Sequence, residues 1–409
     1  MPTPQQRHQP VPINGMSATK WNSPGLTILC RPSQLALHHS LSAHAPLWCS
    51  PYYGSRPIIL LIHIQLSRRR PDAKKQDNCM KFNMIVDEGL RLAANMETRY
   101  DAWLQASRAI ADGRLQWKTS GGHDYLYRII DSKGNGTSLG PRSPATEAMM
   151  ESFQNAKLTV QNTWATLERE GKMYRSLRLP RIASYGAQVL RELDISGLLG
   201  DSVLVVGTNA LCAYALEAGQ LLSSTLDATE DFDLTWVRDV SNAPPALQAP
   251  SVFGVLKSVD STYTINTERP FQARNSHGNE VELLIAESLA GLPTYERLRP
   301  IPLPEQNWLL PGTRISHITC GMDGLPARVV APDPRWFALH KLWLADKESR
   351  NVLKKGKDRE QGDTVLHLVN DHMPHFPLDD AFEDSLPDEL RPYFEDWKQE
   401  NGLTPPGMR

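Results

Sequence analysis

One segment constrains the fold of this chain more than any other, and it spans residues 203–211. Its sequence, VLVVGTNAL, is an apolar, β-branched run that ends in Gly207 and Thr208. Such a run is typical of a buried strand, and the glycine indicates a tight turn into a helix. Neither the glycine spacing of a dinucleotide-binding turn nor the Gly-Lys-Ser/Thr of a P-loop follows. Taken alone, the segment is either an ordinary strand-to-helix connection or a turn that binds a phosphate group.

A pair of carboxylates follows about twenty residues later. Asp231 and Asp233 flank Phe232 in a stretch that predicts a second strand. Because side chains alternate along a strand, both aspartates point to the same face. Two such carboxylates repel each other unless a cation lies between them, and Mg²⁺ prefers oxygen ligands and accompanies substrate phosphates. The pattern favours phosphoryl or nucleotidyl transfer, although alone it also fits a solvated edge, an Asx turn or a glycosyltransferase metal motif.

The charge of the chain is unevenly distributed. The chain has 409 residues, enough for two domains or for one domain with tails. Residues 1–79 hold nine Lys and Arg against two Asp and Glu, a net charge of +7. The remaining 330 residues carry 35 basic and 44 acidic groups, a net charge of −9. Such an acidic body argues against broad binding of nucleic acid, which requires a basic face.

Residues 1–79 differ from the rest of the chain in composition. They contain ten Pro and five His, and they show no sustained helical or strand period. We expect either a disordered extension or a segment upstream of the true translation start, which would then be Met80 or Met84. The longest apolar run, at 58–66, is far shorter than the roughly 20 residues that span a bilayer, and it is a poor secretory signal.

Cysteine usage indicates a reducing compartment. Beyond residue 79 the chain contains only Cys212 and Cys320, and no spacing resembles a zinc site or a disulfide framework. We expect Cys212 to be a small packing residue in the helix after Thr208. The sequence therefore predicts a cytoplasmic protein that does not bind a membrane.

Hydrophobic periodicity divides the chain after residue 79 into three parts. These are a helical and β-hairpin module at 80–200, a core at 201–290, and a C-terminal region with basic helical motifs at 291–409. In the module we expect helices over 97–112, 146–171 and 181–195, and a β-hairpin between 115 and 130. In the core we expect strands at 202–206, 231–237, 262–267, 270–274 and 278–285, with helices from Gly207 to about Gly219 and near 250–258.

The last of these strands adds a third carboxylate. Glu280 and Glu282 alternate with Val281 and Leu283, so Glu282 can share a face with the two aspartates. Three carboxylates on adjacent strands suit a two-metal site. The predicted fold class is α+β, with a mixed or antiparallel sheet flanked by helices.

Together these segments resemble the nucleotidyltransferases of the DNA polymerase β superfamily. More closely, they resemble a bacterial nucleotidyltransferase-like family whose first motif is Gly-Thr-Asn-Ala. The flanking segments agree: 139–147 (LGPRSPATE), 253–260 (FGVLKSVD), 337–344 (FALHKLWL) and 354–361 (KKGKDREQ). The last of these is similar to the motifs that follow the core in toxin-type nucleotidyltransferases. The resemblance covers roughly residues 90–370.

The resemblance implies a role for each matching residue of the core. Gly207 and Thr208 match the turn that holds the β- and γ-phosphates, where glycine permits close approach and the hydroxyl is a donor. Asp231 and Asp233 match the metal-binding pair. Glu282 matches the third carboxylate, which would deprotonate or position the acceptor as well as bind metal.

Three further residues match the downstream basic motifs. Lys341 and Lys357 match the residues that neutralise the triphosphate, and Asp358 would orient the second of these motifs. The implied reaction is transfer of a nucleoside monophosphate from an NTP to an acceptor hydroxyl, with Mg²⁺ or Mn²⁺ as cofactor and pyrophosphate as product. The acceptor, whether a small molecule, RNA or protein, is not implied.

Two departures from the family pattern keep other functions open. The interval from Gly207 to Asp231 is longer than usual, which predicts an extended helix or an inserted loop, and the third acid is Glu282 where aspartate is commoner. One alternative is a catalytically silent regulatory or interaction protein with the same fold. Another is a toxin-like protein with an antitoxin-like partner.

Overall fold

The computed structural model describes residues 82–223, 231–238, 251–289 and 296–403, together with the strands β1 (Asn22–Ser23) and β2 (Leu26–Thr27). Contacts divide the chain into one unit of Met1–Arg70 and a second of Pro71–Arg409. In the first unit, β1 and β2 pair antiparallel. The remainder of the extension predicted at 1–79, including the apolar run at 58–66, lies outside the described residues.

The second unit alternates helices and short strands. Its α-helices, within the described ranges, are α1 (Asp87–Ile110), α2 (Pro144–Ser176), α3 (Ser184–Ile195), α4 (Leu211–Ala218), α5 (Val252–Val259), α6 (Pro334–Asp346), α7 (Val352–His372), α8 (Asp380–Asp384) and α9 (Arg391–Glu400). Its strands are β3 (Asn83–Met84), β4 (Arg114–Ser120), β5 (His123–Ile129), β6 (Gly136–Pro141), β7 (Arg181–Ile182), β8 (Val203–Val205), β9 (Gln220–Leu221), β10 (Asp231–Trp236), β11 (Thr264–Ile265), β12 (Gln272–Arg274), β13 (Glu280–Ala286), β14 (Ile301–Leu303), β15 (Ile315–Gly321) and β16 (Pro326–Ala331).

A mixed sheet forms the centre of the second unit. Its strand order is β11-β12-β13-β10-β8, and β14 also pairs with β13. β10 and β13 run parallel, whereas β8 pairs antiparallel with the other edge of β10. Phe232, Leu234, Val281 and Leu283 are fully buried in the apolar core. Their alternation with acidic residues places the carboxylates on the opposite face of the sheet.

The module before the core combines two long helices with a small antiparallel sheet. The predicted hairpin is confirmed as β4 and β5, and β6 adds a third strand. The predicted helix over 97–112 begins earlier, at Asp87. The helix predicted over 181–195 begins only at Ser184, because Arg181 and Ile182 pair with β15 as the parallel strand β7.

The interval between the turn and the carboxylates contains neither a long helix nor a simple loop in its described part. A 3₁₀ helix at Gly207–Ala210 leads into α4, which ends at Ala218 before the left-handed Gly219, as predicted. The short strand β9 then pairs with β3. Residues 224–230 lie outside the described residues.

The C-terminal region adds the β15–β16 hairpin and helices α6 to α9. α6 and α7 pack against each other, joined by a short connection. The fold class is therefore α+β, as the sequence predicts, with mixed and antiparallel sheets flanked by helices. Among the described residues, the apolar stretches of the helices are too short to cross a membrane.

Candidate functional site

Two neighbouring strands bring the predicted carboxylates to one face of the central sheet. The parallel register of β10 and β13 places Asp233 opposite Glu282 and Asp231 opposite Glu280. Phe232, between the two aspartates, is fully buried on the other face. Side-chain alternation along both strands therefore confirms that the aspartates and Glu282 share a face.

Gly207 lies directly against one of these carboxylates. Its φ of 64° is left-handed, a conformation that glycine adopts without steric cost. A Cβ atom at this position would lie 2.2 Å from Oδ2 of Asp233, so a larger residue would displace the carboxylate. The amide of Val206 also donates to the carbonyl oxygen of Asp233 at 3.0 Å. The turn and the carboxylate pair are therefore parts of one site.

Two further side chains hold the turn in place. Thr208 is buried, and its hydroxyl oxygen accepts a hydrogen bond from Nε2 of Gln361 at 3.2 Å. Nδ2 of Asn209 donates to the backbone carbonyl of Asp231 at 3.2 Å. A hydroxyl group that accepts one hydrogen bond can still donate its own proton, as the predicted phosphate contact of Thr208 requires.

The carboxylates lie close enough to perturb one another. Burial, followed by the charges of Asp233 and Asp231, raises the pKa of Glu282 to about 7. Burial also raises the pKa of Asp233, with Lys341 opposing the shift and Asp231 adding to it. Nε2 of Gln272, on β12, donates to Oε1 of Glu282 at 3.0 Å and restrains that side chain.

Lys354, near the start of α7, brings a positive charge to the carboxylate pair. Its Nζ atom lies 3.3 Å from Oδ2 of Asp231, and its side chain is more than half exposed. Its charge opposes the rise in the pKa of Asp233 and of Glu282. Lys357, which the family resemblance matches to a residue that neutralises the triphosphate, is half-buried one turn further along the same helix.

Lys341 and Asp358 form a buried ion pair between α6 and α7. Nζ of Lys341 donates to Oδ1 of Asp358 at 2.7 Å, and Nε of Arg350 donates to Oδ2 at 2.6 Å. Burial raises the pKa of Asp358, but these two cations outweigh burial and hold that pKa below its ordinary value. Lys341 is only 5% exposed. Asp358 therefore links Lys341 of α6 to Arg350 in the connection between the helices. The spacing of these residues in the sequence did not indicate this contact.

Four residues at the site were given no individual role from the sequence: Lys354, Gln361, Gln272 and Arg350. Gln361 is the last residue of the basic segment 354–361, so a signal was present but no role was given to it. Gln272 lies in a strand that was predicted, yet its amide binds a carboxylate on the neighbouring strand. Arg350 lies between α6 and α7, outside every motif that the sequence singled out.

The donor set fits a small divalent cation. Asp231, Asp233 and Glu282 offer only carboxylate oxygens, which are ligands that Mg²⁺ and Mn²⁺ prefer. A cation among them would reduce the repulsion that adds to burial in raising the pKa of Glu282. Within the described ranges, no group of three or more His, Cys, Asp or Glu side chains is arranged to hold a metal ion. Mg²⁺, however, is commonly bound by one or two carboxylates and completed by substrate phosphates.

Comparison with known proteins indicates nucleotidyl transfer as the class of reaction. Residues 185–387, just under half of the chain, match the sequence profile of a family described as nucleotidyltransferase. The matched region begins in α3 and contains the turn, the three carboxylates and the basic residues of α6 and α7. The match indicates transfer of a nucleoside monophosphate from an NTP in general and supports no finer subfamily or toxin type. No curated protein and no solved structure matches the chain significantly.

Proposed function

We propose that this protein transfers a nucleoside monophosphate from an NTP to an acceptor hydroxyl, with Mg²⁺ as its cofactor. One observation carries the proposal: Gly207 of the turn lies against the carboxylate of Asp233. A triphosphate bound along the turn would therefore lie beside the carboxylates that hold its metal. The family match over 185–387 supports the same reaction class.

Asp231 and Asp233 would hold the metal, and the turn would hold the triphosphate. When bound, Mg²⁺ neutralises charge on the phosphates and polarises the phosphoryl group. The absence of a side chain at Gly207 allows a phosphate oxygen to approach the backbone, and the hydroxyl of Thr208 donates to it. Lys354 supplies positive charge next to Asp231.

The basic helix is positioned by the buried ion pair. Asp358 binds Lys341 and Arg350 together, which fixes α7 against α6. This contact keeps Lys354 next to Asp231, and Lys357 lies on the following turn of the same helix. We assign Lys341 and Asp358 to positioning, and Lys354 and Lys357 to charge neutralisation of the triphosphate.

The chemical step is an in-line displacement at the α-phosphorus. The acceptor oxygen attacks, and a new oxygen–phosphorus bond forms. The bond between the α-phosphorus and the oxygen that bridges to the β-phosphate breaks, and pyrophosphate leaves with the bonding electrons. Glu282, on the strand beside Asp233, takes the proton of the acceptor hydroxyl.

The test measures binding and transfer separately. Calorimetry of the full chain with each NTP and Mg²⁺ is expected to show binding that Asp231→Ala/Asp233→Ala abolishes. With α-labelled NTPs, Mg²⁺ or Mn²⁺ and mixed acceptors, the same double variant should give no labelled product. Failure of NTP–Mg²⁺ to bind the unaltered protein would contradict the site assignment.

Glu282 and Glu280 provide a matched comparison within this test. Nε2 of Gln272 donates to both carboxylates, at 3.0 Å and 2.9 Å, but only Glu282 is opposite Asp233. We expect Glu282→Gln to reduce labelling about 100-fold or more, as loss of a general base does. Glu280→Gln should retain most of the labelling. Equal losses in the two variants would remove the assigned role of Glu282.

A second candidate function is NTP binding without transfer. It is favoured by the arrangement of the carboxylates, since no three metal-ligating side chains in the described ranges converge on one point. A regulatory protein with this fold would bind NTP–Mg²⁺ with the affinity of an enzyme. It would show no labelling above the Asp231→Ala/Asp233→Ala background with any of the four NTPs.

A further inference from the structure

A cavity of about 360 Å³ lies between the turn and residues 178–182, which follow α2 and include β7. Thr208 and Asn209 form part of its wall, and Leu211, Cys212 and Ala215 supply an apolar face from α4. This volume is in the range of small-molecule sites. Of the residues assigned above to the triphosphate or the metal, only Thr208 lines this cavity.

Two arginines line the same cavity. Arg178 follows α2 and is exposed, and Arg181 lies in β7 and is half-buried. Neither guanidinium forms a hydrogen bond or an ion pair with any residue that the structure describes, whereas most of the other arginines near the core have carboxylate or carbonyl partners. Guanidinium groups bind phosphate and carboxylate oxygens through paired hydrogen bonds. The cavity is therefore suited to an anionic group.

The backbone of Arg178 is an independent reason to assign it a role. With φ at 54°, it is the one non-glycine residue with a left-handed φ among the described residues. Its amide donates to the carbonyl of Arg175, and the amide of Leu179 donates to that of Tyr174. These bonds form a Schellman motif, in which this position is usually glycine. An arginine that occupies a strained glycine position at a cavity is a candidate for a functional contact.

The cavity is linked directly to the carboxylate site. Asn209 lines it and also donates to the backbone of Asp231. Thr208 lines it and belongs to the turn whose glycine contacts Asp233. A molecule in the cavity would thus lie beside the bound triphosphate.

We infer that this cavity is the acceptor site, and that it selects a small molecule carrying a phosphate or carboxylate group. Arg178 and Arg181 bind the anionic end, the apolar face of α4 packs against the carbon skeleton, and the hydroxyl of the acceptor extends past Asn209 toward the carboxylates. The assignment of the ligand as acceptor rests on the proposed nucleotidyl transfer. The binding of an anion by the two arginines does not.

The experiment measures the affinity of the full chain for two probes, inorganic phosphate and acetate, by calorimetry. The nucleotide site is first saturated with a non-hydrolysable NTP analogue and Mg²⁺, so that the probes report on the cavity. We expect one of the probes to bind, and the tighter one identifies the anionic class. Arg178→Gly/Arg181→Gln should weaken that affinity at least tenfold. If neither probe binds the unaltered protein, the inference is wrong.

Two single variants show whether a loss of probe affinity comes from the missing guanidinium group or from a change in stability. Arg178→Gly places glycine at a left-handed position, so the melting temperature should stay the same or rise. Arg175→Gln is the matched control, because Arg175 lies one turn earlier, contacts the carbonyl of Asp323 and does not line the cavity. It should keep the affinity for the probe. Unchanged probe affinity in Arg178→Gly, at an equal or higher melting temperature, would show that Arg178 does not bind the anion and would overturn the inference.

The same titrations distinguish this inference from the proposed function. The double arginine variant should bind NTP–Mg²⁺ with an affinity within twofold of the unaltered protein. If the unaltered protein does not bind NTP–Mg²⁺, the proposed function fails, and the probes are titrated into the free protein. Loss of probe binding in the double variant would then still establish the anion site, whereas equal probe affinity in both proteins would exclude it.

Discussion

At the scale of single residues, the contact between Gly207 and Asp233 is the strictest requirement of the site. Gly207→Ala would have to accommodate a Cβ atom 2.2 Å from a carboxylate oxygen at a left-handed φ. The left-handed backbone alone costs roughly 1–2 kcal/mol for an L-residue. We expect the free energy of unfolding to fall by more than this amount, and the affinity for NTP–Mg²⁺ to fall at least tenfold, measured by urea denaturation and calorimetry.

Gly219 offers the control for this substitution. Its φ is also 64°, but the nearest atom to an added Cβ is a methyl group of Leu90 at 3.8 Å, an ordinary van der Waals contact. Gly219→Ala should therefore show the backbone cost alone and keep nucleotide affinity. Similar nucleotide affinities in the two variants would mean that the Asp233 carboxylate moves aside without consequence.

His340 predicts a specific dependence of stability on pH. Burial, followed by the charge of Lys341, lowers the pKa of His340 from 6.5 to about 3. Neither ring nitrogen has a hydrogen-bond partner among the described residues. Below pH 6.5 the unfolded chain binds a proton that the folded chain excludes. The contribution of neutral His340 to the free energy of unfolding is therefore fully present above pH 6.5. It falls by about 1.4 kcal/mol per pH unit as the pH decreases toward 3.

The measurement compares the unaltered protein with His340→Phe, which keeps an aromatic ring beside Trp308. Between pH 7 and pH 5 the unaltered protein should lose about 2 kcal/mol more than the variant in urea denaturation. Other titrating groups contribute equally to both proteins and cancel. Parallel stability curves would show that His340 is protonated in the folded state.

At the scale of elements, the packing of α6 against α7 depends on one charged cluster. Lys341 of α6 and Arg350 of the connection both bind Asp358 of α7, at 2.7 Å and 2.6 Å. Asp358→Ala leaves the buried Lys341 without its carboxylate, and we expect a loss of about 3–5 kcal/mol. Lys341→Met should cost less, because Asp358 keeps Arg350. In Lys341→Met/Asp358→Ala, part of the loss should be recovered, since the buried ammonium group of Lys341 is no longer present without its partner. Chemical denaturation of the four proteins completes the cycle, and additive losses would contradict this coupling.

The elements that the sequence predicted well are those with a clear period. The run ending at Gly207 and the alternation around Asp233 and Glu282 each defined a strand and its buried face, because one face must be apolar. The contacts between elements were not predictable in this way. Nothing in the spacing of Lys341 and Asp358 shows that their helices pack side by side, and nothing near Gln361 shows that it reaches Thr208.

Short elements escaped prediction for a related reason. β7 consists of Arg181 and Ile182, and its two residues are a strand only because β15 lies beside them. Local sequence therefore favoured extending the following helix through them. The cavity at Arg178 depends on the same placement of β7 beside β15, which packs against α4, so it could not be anticipated from sequence.

At the scale of the whole molecule, two apolar clusters each join residues from different predicted parts of the chain after residue 79. One combines the central sheet with helices α3 to α9. The other combines α1 and α2 with β15, where Ile318 and Cys320 pack with Met96 and Tyr100. Each cluster thus combines residues that are far apart in sequence, which indicates that the module at 80–200 folds together with the region after 291.

A comparison of chains of residues 80–409 and 88–409 tests the domain boundary expected at residue 80. The longer chain keeps Phe82, β3 and Ile85. The amide of Ile85 donates to the carbonyl of Gly219 at 2.9 Å, and the side chain of Ile85 is only 2% exposed. The longer chain should therefore unfold at the temperature of the full chain and bind NTP–Mg²⁺ equally well. The shorter chain loses the pairing of β3 with β9 and a buried isoleucine, and we expect a loss of about 3–5 kcal/mol in urea denaturation. If 80–409 were destabilised as much as 88–409, residues before 80 would belong to the folded domain and the boundary would be wrong.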